Sequence, residues 1–178
     1  MKKDVKVLYV TWNKFHNSIV DIAHKIKRDR FNPDIVYGIL KGGIIPARLL
    51  ADVINVENIG FIGIKFYKKI GISETRPKIF LPPTSSVKNL KVLLVDDVAD
   101  SGKTLEVALK KLKKFKPKEV KTAVIYLKPW CSFLPDYYYK ITNKWVVFPW
   151  EISEVLRENV NVAEVKKIIK FAKKLGII

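Results

Sequence analysis

The sequence predicts an α/β protein with a parallel twisted sheet flanked by helices. Short apolar segments rich in Val, Ile and Leu alternate with segments of helical periodicity, and turn residues separate them. In addition, 48% of the 178 residues are hydrophobic, which is enough for a packed core. Strands that alternate with helices pair in parallel, because each helix returns the chain to the same end of the sheet.

The first third of the chain follows this alternation closely. Apolar runs bounded by turn residues predict strands, and apolar residues three and four positions apart predict helices. The predicted order is a strand over 5–10, a helix over 12–26 with Thr11 as its N-cap, a turn at Asn32-Pro33-Asp34, a strand over 35–40, a tight turn at Lys41-Gly42-Gly43, a helix over about 44–54 and a strand over 58–66.

The middle of the chain begins with a stretch that predicts a long loop. Residues from about 67 to 89 include Lys68, Lys69, Gly71, Arg76 and three prolines. A loop of that length inside a compact domain usually has a function. After it, the pattern predicts a strand over 91–96, a helix over 102–115 and a strand over 120–127.

The tail from Lys128 differs in character from the preceding residues. It is aromatic and punctuated by prolines as far as Trp150, and a Lys-rich helix follows, with a capping box at Asn161–Glu164 and Gly176 as its end. We therefore expect one domain over 1–178, with a core over about 1–127. Residues from about 128 to 178 would form a small C-terminal hood and the closing helix.

Composition excludes several classes of protein. The chain has no apolar run long enough to span a membrane and no signal peptide, so we expect a soluble cytoplasmic protein without membrane contact. One cysteine and two histidines do not make a metal-binding pattern. The formal net charge of +17 fits either attraction to a polyanion or a Lys-rich surface of the heat-adapted kind. Because the lysines spread over several helix faces, the second explanation is favoured and nucleic acid is not an expected partner.

Residues 92–104 carry the strongest functional signal. Four apolar residues lead into the acidic pair Asp96-Asp97, and a third acid, Asp100, precedes a Ser-Gly-Lys-Thr turn and a helix. The carboxyl end of a strand, where it meets a helix N-terminus, is where open α/β sheets bind ligands and phosphate. A nucleoside-triphosphate P-loop would require glycine at position 97, so that motif is excluded.

The segment resembles the ribose-phosphate signature of type I phosphoribosyltransferases. That resemblance implies that Asp96 and Asp97 hold the ribose hydroxyls of 5-phosphoribosyl-1-pyrophosphate (PRPP), and that Asp100 is the catalytic acid or base. The chemistry fits, because carboxylates accept hydroxyl protons while a turn rich in N–H donors holds a dianion. The residues implied to bind PRPP are Lys41, Gly42, Asp96, Asp97, Val98, Ala99, Ser101, Gly102, Lys103 and Thr104.

Two further segments fit the same family. The turn Leu40-Lys41-Gly42-Gly43 resembles the pyrophosphate loop of hypoxanthine-guanine phosphoribosyltransferases, which implies a cis peptide bond before Lys41. The long loop takes the place of the family's mobile flap, in which Lys68, Lys69 or Arg76 would contact pyrophosphate. The sequence does not decide which of these three residues does so.

The tail resembles the base-binding hood of 6-oxopurine enzymes, the small xanthine-guanine type in particular. The resemblance implies that Lys128 donates to the purine O6 atom, that Trp145 stacks on the base and that the Val146 carbonyl accepts from the purine edge. For Trp130 and Trp150, a role at the base and a place in the core are both open. Glu151 falls where the family can have an acid linked to magnesium.

Together these resemblances imply a purine salvage phosphoribosyltransferase. It would move the phosphoribosyl group from PRPP to N9 of hypoxanthine, guanine or xanthine and release pyrophosphate, with inversion at C1′. The implied cofactor is Mg²⁺, near Asp96 and Asp97, and the implied assembly is a homodimer or homotetramer. Two alternatives stay open: a PRPP-sensing regulator that binds nucleic acid, and a phosphoribosyltransferase for another base.

Overall fold

The computed structural model describes residues 6–67, 76–153 and 170. Two compact units make up the chain, one from Met1–Asn17 with Asn143–Ile178 and the other from Ser18–Thr142. Lys68, Lys69 and Gly71 of the expected flap lie outside the described residues, as does the side chain of Arg76. The expected C-terminal helix, with its capping box at 161–164 and its end at Gly176, also lies outside them.

The described elements alternate between strand and helix over much of the chain. In order they are β1 (Val7–Tyr9), α1 (Trp12–Arg28), β2 (Ile35–Leu40), α2 (Ile44–Val53), β3 (Ile59–Tyr67), β4 (Arg76–Leu81), β5 (Lys91–Ala99), α3 (Lys103–Lys113), β6 (Glu119–Leu127), β7 (Tyr137–Ile141), β8 (Trp145–Val147) and a 3₁₀ helix (Pro149–Glu151). The Thr11 hydroxyl accepts a hydrogen bond from the Lys14 N–H (3.3 Å), which confirms Thr11 as the cap of α1.

The larger unit is built on a six-stranded sheet in the order β4-β3-β2-β5-β6-β7. All neighbouring pairs in it are parallel except β3 with β4. The central strands β2 and β5 are buried almost throughout, as expected for parallel strands covered on both faces. The predicted fold class, a mostly parallel sheet flanked by helices, is therefore confirmed.

Helices cover both faces of this sheet. Leu105, Ala108 and Leu112 of α3 share one buried cluster with Tyr37 of β2 and Leu94 of β5. On the other face, α2 packs against β2 and β5 and buries residues such as Ala47. Tyr37 and Ile39 of β2 lie in the cluster on the α3 side, whereas Gly38 between them lies against Ala47 on the α2 side. This arrangement fixes the carboxyl ends of β2 and β5 side by side.

The smaller unit contains a two-stranded parallel sheet. In this pair, β1 and β8 align Val7 with Trp145, and the Trp145 N–H donates to the Lys6 carbonyl (2.8 Å). After β8, the Phe148 ring stacks on the Trp150 ring with centroids 4.7 Å apart, and the Phe15 ring meets Trp150 edge-on at 4.8 Å. These aromatic contacts give this unit an apolar centre of its own.

Three strands were not expected from the sequence. Residues 67–89 are not one long loop, because β4 pairs antiparallel with β3. Pro77 made a strand unexpected here, because proline cannot donate a backbone hydrogen bond. Proline is tolerated in β4 because this strand lies at the edge of the described sheet. In the tail, β7 pairs with β6 and extends the large sheet, so residues 128–142 belong to the larger unit. The third unexpected strand, β8, pairs with β1 in the smaller unit.

Within the described residues, no helix is both long enough and apolar enough to span a membrane.

Candidate active site at the carboxyl ends of β2 and β5

Two turns meet at one edge of the large sheet. The turn Lys41–Gly43 follows β2, and the turn Asp100–Gly102 follows β5. Because β2 and β5 are adjacent and parallel, both turns leave the sheet at the same end. This edge of an open α/β sheet is the usual place for a ligand.

The turn after β2 has an unusual backbone. The peptide bond Leu40–Lys41 is cis, as the resemblance to the pyrophosphate loop predicted. Lys41 is exposed, and Gly42 lies against the side chain of Asp97. A Cβ atom on Gly42 would overlap the Asp97 carboxylate, so glycine is required for this close approach. The turn and the acidic pair, predicted separately, are thus neighbours.

Asp96 and Asp97 are adjacent carboxylates within β5 and not in the turn beyond it. Asp96 is only 8% exposed, and its Oδ1 accepts a hydrogen bond from the Asp97 N–H (3.0 Å). Burial raises the pKa of Asp96 well above the ordinary range, and the neighbouring Asp97 charge raises it further. Burial also raises the pKa of Asp97, although its Oδ1 accepts from the Val98 N–H (2.6 Å). A cation or hydroxyl donors bound at this pair would stabilise both charged carboxylates and so offset the free-energy cost of burying them.

The turn after β5 leads into the N-terminus of α3. Gly102 has φ of 84°, a left-handed conformation that favours glycine, and Lys103 begins the helix. The Ser101 hydroxyl accepts from the Lys103 N–H (3.4 Å). N–H groups in the first turn of a helix have no intrahelical partner and attract anions.

A cavity of about 310 Å³ opens onto this turn. Its lining includes most of the residues predicted to bind PRPP: Asp96, Val98, Ala99, Ser101, Gly102 and Thr104. Asp100 lines it as well, and so does Phe66 of β3, which sequence reasoning missed. The alternation of residues 58–66 identified β3 as a strand but held no sign that its end would reach the ligand edge.

Lys128 directly follows β6, next to the turn after β5. Its main-chain N–H donates to the Ala99 carbonyl (2.9 Å), and the residue is only 7% exposed. Burial lowers the pKa of the Lys128 ammonium, and the nearby Asp100 charge partly offsets that effect. A buried ammonium of this kind is a strong donor to a ligand oxygen, because little water competes for it.

Trp130 is a second residue whose contact the sequence did not predict. Its indole Nε1–H donates to Oδ1 of Asp100 at 2.8 Å. Trp130 is 58% exposed, so it is not a core aromatic residue. The sequence did not decide whether Trp130 lies in the core or at the base site. The structure shows that its indole is hydrogen-bonded to Asp100.

The remaining predicted base-site residues lie in the smaller unit. Trp145 is half-buried and Val146 buried, both in β8. Trp150 belongs to the aromatic group around Phe148. The Glu151 carboxylate accepts from the Phe148 N–H (2.9 Å), so it caps the 3₁₀ helix. The roles of these residues toward base or magnesium stay predictions.

The chemistry of the acidic pair fits a metal ion that arrives with its ligand. In the part of the chain that the structure describes, no group of three or more His, Cys, Asp or Glu side chains could hold a metal. Asp96 and Asp97 supply carboxylate oxygens, and Mg²⁺ is commonly held by one or two carboxylates together with substrate phosphates. The pair therefore fits a Mg²⁺ ion that substrate phosphates also hold.

Comparison with known proteins gives a family. The model of the phosphoribosyl transferase domain matches residues 9–155. The chain is similar to the xanthine-guanine phosphoribosyltransferase of Cereibacter sphaeroides, with 27% identity over 83% of this chain and 89% of that protein. It is 31% identical to phosphoribosyltransferase domain-containing protein 1 of Xenopus laevis, over 80% of this chain and 73% of that protein.

A solved structure agrees with these matches. The purine phosphoribosyltransferase from Pyrococcus horikoshii Ot3 is 40% identical, and the superposition covers 82% of this chain and 93% of that chain with a TM-score of 0.74. The Helicobacter pylori xanthine-guanine-hypoxanthine phosphoribosyltransferase has the same fold, with a TM-score of 0.74 over 86% of this chain and 99% of that chain at 22% identity.

Proposed function

Because the chain belongs to the phosphoribosyl transferase domain family, we propose that it is a purine salvage enzyme acting on 6-oxopurines. It transfers the 5-phosphoribosyl group of PRPP to N9 of hypoxanthine, guanine or xanthine. The bond from C1′ to pyrophosphate breaks as the bond from C1′ to N9 forms, with inversion at C1′. The single observation that carries this proposal is the contact between Gly42 and Asp97, which brings the turn after β2 against the acidic pair near the end of β5.

The two turns suit the two ends of PRPP. Carboxylate oxygens of Asp96 and Asp97 accept hydrogen bonds from the ribose hydroxyls. The turn Asp100–Thr104 and the first N–H groups of α3 hold the 5′-phosphate. Backbone N–H groups of Lys41 and Gly42, together with the Lys41 charge, hold the pyrophosphate. Binding thus orients C1′ toward an incoming base, which is a large part of catalysis when both reactants are held.

We propose Mg²⁺ as the cofactor, which Asp96 and Asp97 would hold directly or through water. When bound, it supplies positive charge that neutralises the departing pyrophosphate. The raised pKa values of the two carboxylates support this assignment, because a nearby cation would favour their charged forms. Glu151 stays a further candidate, although its carboxylate caps the 3₁₀ helix.

Lys128 gives the site its preference for a 6-oxopurine. Lysine donates hydrogen bonds and accepts none, so it recognises the O6 carbonyl and disfavours the 6-amino group of adenine. Its burial supports this role, because a desolvated ammonium forms strong hydrogen bonds. Trp145, as a stacking partner, and the carbonyl of Val146, as an acceptor, are proposed to complete base recognition.

Asp100 is the proposed acid or base. As N9 bonds to C1′, the purine gives up a proton from N7, and the Asp100 carboxylate accepts it. In the reverse reaction the carboxylic acid returns that proton. Asp100 is exposed at the cavity, where a base can approach it. A carboxylate within hydrogen-bond reach of the proton is the geometric requirement for this role.

The direct test is pyrophosphate release from PRPP and Mg²⁺ with each of five free bases: adenine, guanine, hypoxanthine, xanthine and uracil. We expect release with at least one 6-oxopurine and little with adenine or uracil, and the assay also ranks the three 6-oxopurines. Release with none of the five, combined with salt-dependent DNA binding that responds to PRPP, would replace the enzyme by a regulator. We further propose a homodimer or homotetramer, which sedimentation would test.

A further inference from the structure

Trp130 connects the loop after β6 to the acidic turn after β5. The indole Nε1–H donates to Oδ1 of Asp100 at 2.8 Å, which is the distance of a well-formed hydrogen bond to a charged oxygen. Position 130 lies 30 residues from Asp100 along the chain, so the contact depends on the fold. Among the residues that the structure describes, no other hydrogen bond reaches the Asp100 side chain.

The loop that presents the indole is attached to the turn independently of this bond. The Lys128 N–H donates to the Ala99 carbonyl (2.9 Å), and the Ser132 hydroxyl donates to the Ser101 carbonyl (2.9 Å). Phe133 lies so close to Gly102 that a Cβ on Gly102 would overlap it. These contacts lie on both sides of Trp130 in sequence, so they restrict where its indole can lie.

The indole also has a cationic partner. The Lys128 ammonium lies 5.6 Å from the Trp130 ring centroid, within the range of a cation–π contact. One face of the ring thus meets the ammonium while its N–H meets the Asp100 carboxylate. Trp130 contacts both the residue proposed for the base O6 and the residue proposed for proton transfer.

We propose that Trp130 is a positioning residue for Asp100. The indole holds Oδ1, which fixes the rotamer of the carboxylate and leaves Oδ2 to exchange the proton with the purine. An exposed aspartate without such a donor samples several rotamers, and only some of them place an oxygen at the base. This inference rests on the proposed phosphoribosyl transfer and assigns Trp130 no contact with the reacting atoms.

The test begins with Trp130→Phe, which removes the N–H donor and retains a ring beside Lys128. We expect kcat to fall about 10-fold, since small displacements of a catalytic group are costly, while KM for PRPP changes less than about twofold. Because Trp130 is mostly exposed, the variant should melt close to the wild type. Leu134→Ala is the matched control: it shortens an exposed side chain in the same loop but leaves the indole bond and the loop-to-turn bonds in place, so kcat should stay within about twofold.

A double-mutant cycle separates positioning from a general effect on the loop. If Trp130 acts through Asp100, then Trp130→Phe should cause no further loss of kcat in an Asp100→Asn background. Equal losses in both backgrounds would overturn the inference, and so would an unchanged kcat in the single variant. These outcomes require an active wild type. A wild type that makes no nucleotide from any base would instead contradict the proposed function.

Discussion

Gly42 lies against the carboxylate of Asp97 so closely that a Cβ at position 42 would overlap the carboxylate oxygens. Gly42 lies in the turn after β2 and Asp97 lies near the end of β5, and their contact follows from the parallel pairing of those strands. In the proposed reaction, the turn after β2 holds pyrophosphate and the acidic pair of β5 holds ribose. Their contact therefore places the proposed pyrophosphate site beside the proposed ribose site.

Gly42→Ala should damage PRPP use without unfolding the protein. The added methyl group must displace either the Asp97 side chain or the turn, so we expect kcat/KM for PRPP to fall by about 10-fold or more, consistent with a displacement of catalytic groups. Steady-state kinetics with varied PRPP would measure this. Ile44→Ala, at an exposed position two residues further on, is the control and should leave kcat/KM nearly unchanged. Equal kinetics for both variants would contradict the importance of the contact.

Asp97→Asn should stabilise the ligand-free protein near neutral pH while weakening PRPP binding. Burial raises the pKa of Asp97 to about 6 in the folded state, above the value of about 4 expected when unfolded. The folded state thus holds the proton more tightly, so stability is full below pH ~4 and falls as pH rises to ~6. The Asp97→Asn variant has no carboxylate at this position, so it does not lose this contribution to stability as the pH rises.

Melting curves across pH would check this prediction. Without ligand, the variant should melt above the wild type at pH 7, and the difference should shrink toward pH 4. The midpoint of the variant should also rise less when PRPP and Mg²⁺ are added. A variant that melts below the wild type by the same amount at both pH values would show that the carboxylate has a structural role instead.

Asp100→Asn should reduce turnover far more than it affects donor binding. Asparagine retains the shape and can still accept the Trp130 hydrogen bond, but it cannot take up a proton at neutral pH. General acid–base catalysis is typically worth about 10²- to 10⁴-fold, so kcat should fall by about 100-fold or more. The Michaelis constant for PRPP should change little. An unchanged kcat would remove the assignment of Asp100 as acid or base.

Lys128→Ala should weaken the use of 6-oxopurines without affecting PRPP binding. A hydrogen bond to a charged donor contributes about 1.5–3 kcal/mol, so we expect KM for hypoxanthine or guanine to rise about 10- to 100-fold. Titration calorimetry with PRPP and Mg²⁺ provides the control and should give the wild-type affinity. If the wild type prefers adenine, the argument from the O6 carbonyl is wrong.

Asp136→Ala should destabilise the fold away from the site. Oδ2 of Asp136 accepts from the N–H and hydroxyl of Thr122, both at 2.7 Å, and Thr122 is buried. Removing the acceptor leaves buried donors unpaired, which costs about 1–3 kcal/mol of unfolding free energy. Urea unfolding of the variant and the wild type would measure this difference in unfolding free energy. Asp52→Ala, which removes an exposed ion pair with Arg48, should cost less than about 1 kcal/mol.

The site could be predicted as far as it depends on local pattern. Asp96, Asp97 and the Ser101–Thr104 turn lie in one continuous segment with a strand before it and a helix after it, so their placement follows from secondary structure alone. The cis bond before Lys41 was also predicted, because the residues after it match a known turn.

The contacts that sequence reasoning missed all depend on long-range packing. Trp130 reaches Asp100 only because the loop after β6 folds back on the turn after β5, and no periodicity signals that. Phe66 lines the cavity because β3 runs beyond its partner strand β2, and β4 was concealed by Pro77. Pairing between distant segments has no local signature, so these features needed the structure.

The most direct test of the central claim is the identity of the nucleotide formed from a mixture of bases. Pyrophosphate release alone also results from hydrolysis of PRPP, whereas a nucleoside 5′-monophosphate proves transfer to a base. The purified protein would be incubated with PRPP, Mg²⁺ and equal concentrations of adenine, guanine, hypoxanthine, xanthine and uracil, and the products separated and weighed by mass spectrometry. The monophosphates of one or more 6-oxopurines should accumulate first. Accumulation of the adenine or uracil nucleotide instead, or of none, would contradict the account.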